Sequence, residues 1–126
     1  MFAVAEDGVP RHVALGGAGI LEQGPVLTLY LPRDWGWQTG RDLSVNLLSG
    51  ARWLRSRNGA AVDSPADFHY ELSESIAPAR IAEARLAFEC RVVATGTLAG
   101  LDGHGYLVVA QVLSAHQRWP RGCAIT

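Results

Sequence analysis

Leu86-Ala87-Phe88-Glu89-Cys90-Arg91-Val92 alternates between two chemical characters, and its reading decides the fold. Successive side chains of a strand point to opposite faces, so Leu86, Phe88, Cys90 and Val92 share a core face while Glu89 and Arg91 face a partly wet side. The glycine-rich stretch from Thr95 to Gly105, with Gly96, Gly100, Gly103 and Gly105, reads as the link to a second run, Tyr106 to Leu113. That run is apolar on both faces. A chain with little helix must cover such a strand with a barrel wall or a second subunit, which predicts a homodimer.

Toward the N-terminus, Val26-Leu27-Thr28-Leu29-Tyr30-Leu31 lies between Pro25 and Pro32 and has the length and composition of a buried strand. Leu43-Ser44-Val45-Asn46-Leu47 supplies another. Met1 to Ala5 and Val9 to Leu15 flank Glu6-Asp7-Gly8, a hairpin signal. Phe68 to Leu72 reads as a brief strand. Ser49 is placed to cap a helix running through Arg57, with Trp53 and Leu54 inward and Asn58-Gly59 as its stop. Ala79 to Arg85 reads as one or two helical turns. Short strands, turn glycines and one or two short helices make the class mainly β, an antiparallel barrel closed or nearly so.

Composition narrows the function. The 126 residues are 48% hydrophobic with a formal net charge of −1, which fits one globular domain. All 11 basic side chains are arginine, and the near-neutral balance argues against a sequence-nonspecific nucleic-acid surface. No apolar run approaches the roughly 20 residues of a membrane-spanning helix. A cytoplasmic location, without membrane or nucleic acid, is the expectation. Cys90 and Cys123 form no CxxC pair, and Cys90 shares the apolar face of its strand, so it reads as a small buried hydrophobe.

Few motifs carry chemistry. There is no Gly-x-Ser-x-Gly elbow and no paired carboxylates stand out, which leaves hydrolysis without a candidate. Gly16-Gly17-Ala18-Gly19 cannot be an ordinary strand interior: it is a bend or bulge, or a cradle whose amides hold a ligand. Trp35 and Trp37, in a loop rich in turn residues, either stack on a flat ligand or pack at the barrel mouth. Asp102 and His104 lie together in a glycine turn, and His12 borders the glycine loop. His69 and His116 have no partner at metal-ligand spacing, so no metal site is expected.

The order of these elements resembles the flavin reductase-like group of the FMN-binding split barrels. Four segments carry the likeness: the Asp7-Gly8 hairpin with its loop to Gly19 and the Pro25-led strand; Thr39 to Leu48 with its Val45-Asn46 pair; Ala82 to Val92, where Ala87-Phe88-Glu89-Cys90-Arg91-Val92 is similar to the family's Glu-Cys strand; and the glycine turn with His104 before Tyr106 to Val112. The chain departs from the pattern in three places. Val13 to Leu21 contains no hydroxyl where members usually carry several. Arg33-Asp34-Trp35-Gly36-Trp37-Gln38-Thr39 replaces a Ser-x-Thr phosphate cradle, and Gly105 aligns with the family histidine. The likeness starts at the first strand, without the helix that commonly precedes it.

The resemblance implies an antiparallel split β-barrel domain over residues 1–115, with 116–126 as a C-terminal tail. It also implies a homodimer holding FMN in a groove at the subunit boundary, with NAD(P)H as hydride donor and a partner monooxygenase as one use for the reduced flavin. On that basis Gly16, Gly17 and Ala18 give backbone contacts to the ring, Arg33 and Thr39 hold phosphate, Trp35 stacks, and Asn46 orients the groove. No side chain is assigned to the hydride step itself, since that chemistry belongs to the cofactors. The hydroxyl-free loop keeps another reading open: a barrel without flavin whose groove binds or transforms a different small aromatic or apolar molecule. A structural dimer is the third.

Overall fold

The computed structural model describes residues 1–22, 24–48, 68–98 and 105–117. These form nine strands: β1 (Phe2–Val4), β2 (Pro10–His12), β3 (Ala14–Leu21), β4 (Gly24–Leu31), β5 (Asp42–Leu47), β6 (Tyr70–Glu71), β7 (Arg80–Ile81), β8 (Leu86–Leu98) and β9 (Gly105–Gln117). Seven make one antiparallel sheet in the order β2-β1-β5-β8-β9-β4-β3, and β6 and β7 make a separate two-stranded ribbon. The hairpin at Asp7-Gly8 forms as its sequence predicts: Val9 N–H donates to Asp7 Oδ1, Gly8 N–H donates to Ala5 O, and Gly8 takes a φ of 74°.

The sheet is split and does not close by hydrogen bonds, which corrects the expectation of a closed or nearly closed barrel. Its two edge strands, β2 and β3, are consecutive in the chain and separated only by Val13. The extended run from Pro10 to Leu21 therefore pairs with β1 through its first part and with β4 through its second. Val13 is buried, and its N–H donates to Met1 O at 2.9 Å. The curled sheet wraps a core that includes Ala3, Leu27, Leu29, Leu43, Val45, Cys90, Val92, Val108 and Ala110. A smaller cluster on the outer face packs Phe2, Val4 and Ala87 against Phe68, Ile81 and Ala84.

Three other expectations change. The stretch from Thr95 is not all turn: β8 continues to Leu98, pairing Thr97 with Tyr106. Ala79 to Arg85 is not helical, because Arg80–Ile81 is held extended by β6 and by Asn46 Oδ1, which accepts from Ile81 N–H at 3.0 Å. Among the described residues there is no helix, and the helix expected over 49–57 lies outside them. The 16–19 glycines are no ordinary strand interior, as expected: they lie in an irregular edge strand with a bulge between Leu15 and Gly17. Finally, Glu89 is fully buried rather than partly wet, since residues 73–80 cover its face.

Candidate functional site

The loop over 32–41 shapes the open end of the sheet. Asp34 Oδ1 accepts from Gly36 N–H at 2.7 Å, and Gly36 and Gly40 take φ values of 76° and 92° that an L side chain rarely adopts. Gly40 N–H donates to Val92 O and Val92 N–H donates to Arg41 O, which ties the loop to β8. Trp37 drops into the core and anchors the loop. Between this loop and the ends of β4, β8 and β9 lies a cleft of about 450 Å³. Leu31, Trp37, Tyr106 and Val108 give it apolar walls, while Asp34, Gln38, Thr95 and Thr97 contribute polar groups.

A second cleft of about 360 Å³ lies on the other side of Trp37, bounded by Trp35, Glu6, Asp7, Arg41 and Asp42. Its charges are already paired. Arg41 meets Glu6 at 2.8 Å, Arg11 meets Asp7 at 2.8 Å, and Asp42 is held by Arg91 from β8, also at 2.8 Å. Trp35 tilts against Trp37 with ring centroids 5.1 Å apart, and the Arg11 guanidinium lies 5.6 Å from the Trp35 ring.

The residues singled out in the sequence are dispersed within one chain. Gly16, Gly17 and Ala18 lie on edge strand β3, and a Cβ added at Gly16 would come within 2.3 Å of the Tyr30 ring, whereas Gly17 meets nothing within 4 Å. Arg33 and Thr39 are exposed on the loop, and Trp35 borders the second cleft. Asn46 is fully buried, with its amide donating to Phe2 O and Ser44 Oγ and accepting from Ile81, so it acts from inside the fold. Asp102 and His104 lie outside the described residues. His12 ends β2, edge-on to Phe2 with centroids 5.4 Å apart. Burial pushes the Cys90 thiol up to about 12, which removes it as a nucleophile.

Sequence reasoning missed two groups. Thr95 and Thr97 reach the first cleft because β8 runs past the expected turn, and their spacing of two was the available signal. The other is the cluster around Glu89. Its carboxylate accepts from Ser75 N–H at 2.6 Å, Glu74 N–H at 3.0 Å and His116 Nε2 at 2.5 Å, with Arg80 Nε 3.7 Å away. Burial works to raise its pKa, yet the two amides and His116 together hold it below the usual carboxylate value. Ser114 Oγ also meets His116, but through the same Nε2. A serine–histidine–carboxylate relay needs both ring nitrogens, so this geometry does not make one.

The fold has counterparts among solved structures. Nitrilotriacetate monooxygenase component B from Bacillus cereus superposes with a TM-score of 0.64 at 17% identity, over 96% of this chain and 71% of that one. Flavoredoxin from Methanosarcina acetivorans gives 0.65 at 22% identity, over 93% and 67%. An NADH:FAD oxidoreductase from Streptomyces globisporus, solved with NAD and FAD fragments, gives 0.64 at 16%, over 95% and 74%. No protein-family model matches the sequence, and no curated relative does. The chain thus has the fold of the flavin reductase-like split-barrel proteins, as its sequence pattern suggested.

Proposed function

We propose that the protein is a flavin reductase-like enzyme that binds FMN at a homodimer boundary and passes hydride to it from NAD(P)H. The observation that carries this reading is a cleft with aromatic and hydroxyl walls on a fold shared with flavin reductases. The fit to a flat ring rests on open backbone: a Cβ at Gly17 would meet nothing within 4 Å, so a ring has room to approach β3 there.

In this reading Gly16, Gly17 and Ala18 offer main-chain contacts along β3. Arg33 makes no ion pair among the described residues, which leaves its guanidinium for the FMN phosphate beside Thr39. Trp35 provides the stacking surface, and Asn46 positions the groove by locking β5 to β1 and β7. These groups face different parts of one chain, and in this reading a second copy completes the groove. Exposed Leu15, Ile20, Tyr30 and Val93 on β3, β4 and β8 supply apolar surface for that contact. A bound flavin would supply the hydride acceptor, with Arg33 and Thr39 holding its phosphate and Trp35 its ring. The protein's task is to hold the two rings at near-attack distance, roughly 3–3.5 Å. The reading includes a cytoplasmic location and a monooxygenase that consumes the reduced flavin.

Titration of FMN into the purified chain, followed by fluorescence quenching and sedimentation, tests the proposal. Saturable quenching by a dimer supports it, and a monomer that leaves FMN fluorescence unchanged overturns it. The apolar walls of the cleft favour one alternative, a different uncharged aromatic ligand. That reading requires a colourless protein whose melting temperature still rises with such a ligand.

A further inference from the structure

Among the described residues lining the 450 Å³ cleft, Asp34 is the one charged side chain. The polar side chains beside it, Gln38, Thr95 and Thr97, are neutral, and among the described residues no arginine lines the cleft to offset an anion. Asp34 Oδ1 accepts from Gly36 N–H, and no described residue donates to Oδ2. A carboxylate so placed accepts from the vicinal hydroxyls of a ribose, whereas a phosphate monoester on that ribose brings close to two negative charges against it. Arg33, the neighbouring cation, is outside the lining, so phosphate is favoured on the rim and disfavoured within.

On this geometry we propose that Asp34 is a specificity-determining residue: the cleft receives the unphosphorylated nucleoside of a nicotinamide dinucleotide, and Asp34 selects NADH over NADPH. The inference rests on the reductase reading above. It refines that reading, because it assigns the choice of hydride donor to one side chain of the loop.

Calorimetric titration of the full chain with NAD+ and with NADP+ reads selectivity without turnover, and NADH against NADPH oxidation with FMN reads it at work. NAD+ is expected to bind roughly tenfold tighter, from repulsion between Asp34 and the extra phosphate. Asp34→Asn keeps an oxygen acceptor for Gly36 N–H and removes the charge. It should erase most of that ratio through a gain for NADP+, and Asp34→Ser should do the same. Raising the salt concentration should narrow the wild-type ratio. Equal affinity for the two dinucleotides, or a ratio unchanged in both variants, overturns the assignment. A chain that binds FMN and oxidises both donors equally overturns Asp34's role and leaves the reductase reading standing. A chain that takes neither flavin nor dinucleotide overturns both.

Discussion

Beneath residues 68–84 the sheet buries Ser44, Asn46 and Glu89 completely, whereas around the cleft at its other end Asp34, Gln38, Thr95 and Thr97 remain exposed. The buried groups are saturated: Ser44 Oγ donates to Ala79 O, the Asn46 amide uses both donor and acceptor, and Glu89 accepts from two amides and an imidazole. In the cleft, no hydrogen bond to a described residue engages the side chains of Gln38, Thr95 or Thr97. Burying a polar group costs free energy unless it is partnered, so the saturated end reads as structure and the unsaturated end as a place for a ligand. The same residue types do opposite work at the two ends.

The largest effect should come from breaking the saturated end. Glu89→Ala leaves the Glu74 and Ser75 amides and His116 without their shared acceptor and Arg80 without the carboxylate 3.7 Å from its Nε, and removing one partner from a buried ionic cluster typically costs about 3 kcal/mol or more. Urea unfolding should show it as a lower midpoint; a loss below about 1 kcal/mol would mean that the cluster is not what holds 73–80 to the sheet. The acid limb offers the next test. The folded state holds Glu89 below the ordinary carboxylate value of 4.5, so the unfolded chain takes up the proton first. The stability this group supplies is therefore complete above pH 4.5 and lost as pH falls through the lower folded value. Glu89→Gln should flatten that limb of the stability profile, and an acid limb identical to wild type would remove Glu89 as its cause.

How much of this was legible beforehand follows from the range of the interactions. Alternation from Leu86 to Val92 located the core face, and Cys90 and Val92 are indeed buried, because strand periodicity is a local property. Nothing local shows that residues 73–80 return to cover Glu89, since amides 14 and 15 positions away create its environment. The open split came from the family resemblance and not from any local pattern: whether the ends of a curled sheet hydrogen-bond depends on global register, and here they join through Val13. Of the candidate site, the glycine loop and Trp35 were visible as composition. Thr95 and Thr97 were not, because glycine-rich sequence disguised the end of β8.

A medium effect is expected at Gly16, which sits between these extremes. An alanine Cβ there meets the Tyr30 ring at 2.3 Å, but the ring is half-exposed and can swing outward. Gly16→Ala should cost about 1 kcal/mol, the low end of overpacking. In a Tyr30→Ala background the cost should nearly vanish, and that coupling separates a steric cause from a general weakness of the edge strand.

The smallest effect on stability is the sharpest test of the contrast between the two ends. Thr95→Val and Thr97→Val remove hydroxyls that no described group uses, at strand positions where valine is at least as well suited as threonine. Each should change unfolding free energy by less than about 0.5 kcal/mol, as for surface substitutions away from special features. Dinucleotide affinity should nevertheless fall several-fold, since a hydrogen bond to an uncharged partner contributes about 1 kcal/mol. A binding change without a stability change is the signature of a group held for a ligand. The opposite pattern, lost stability with unchanged binding, would show the cleft hydroxyls to be structural and merge the two ends into one kind of surface.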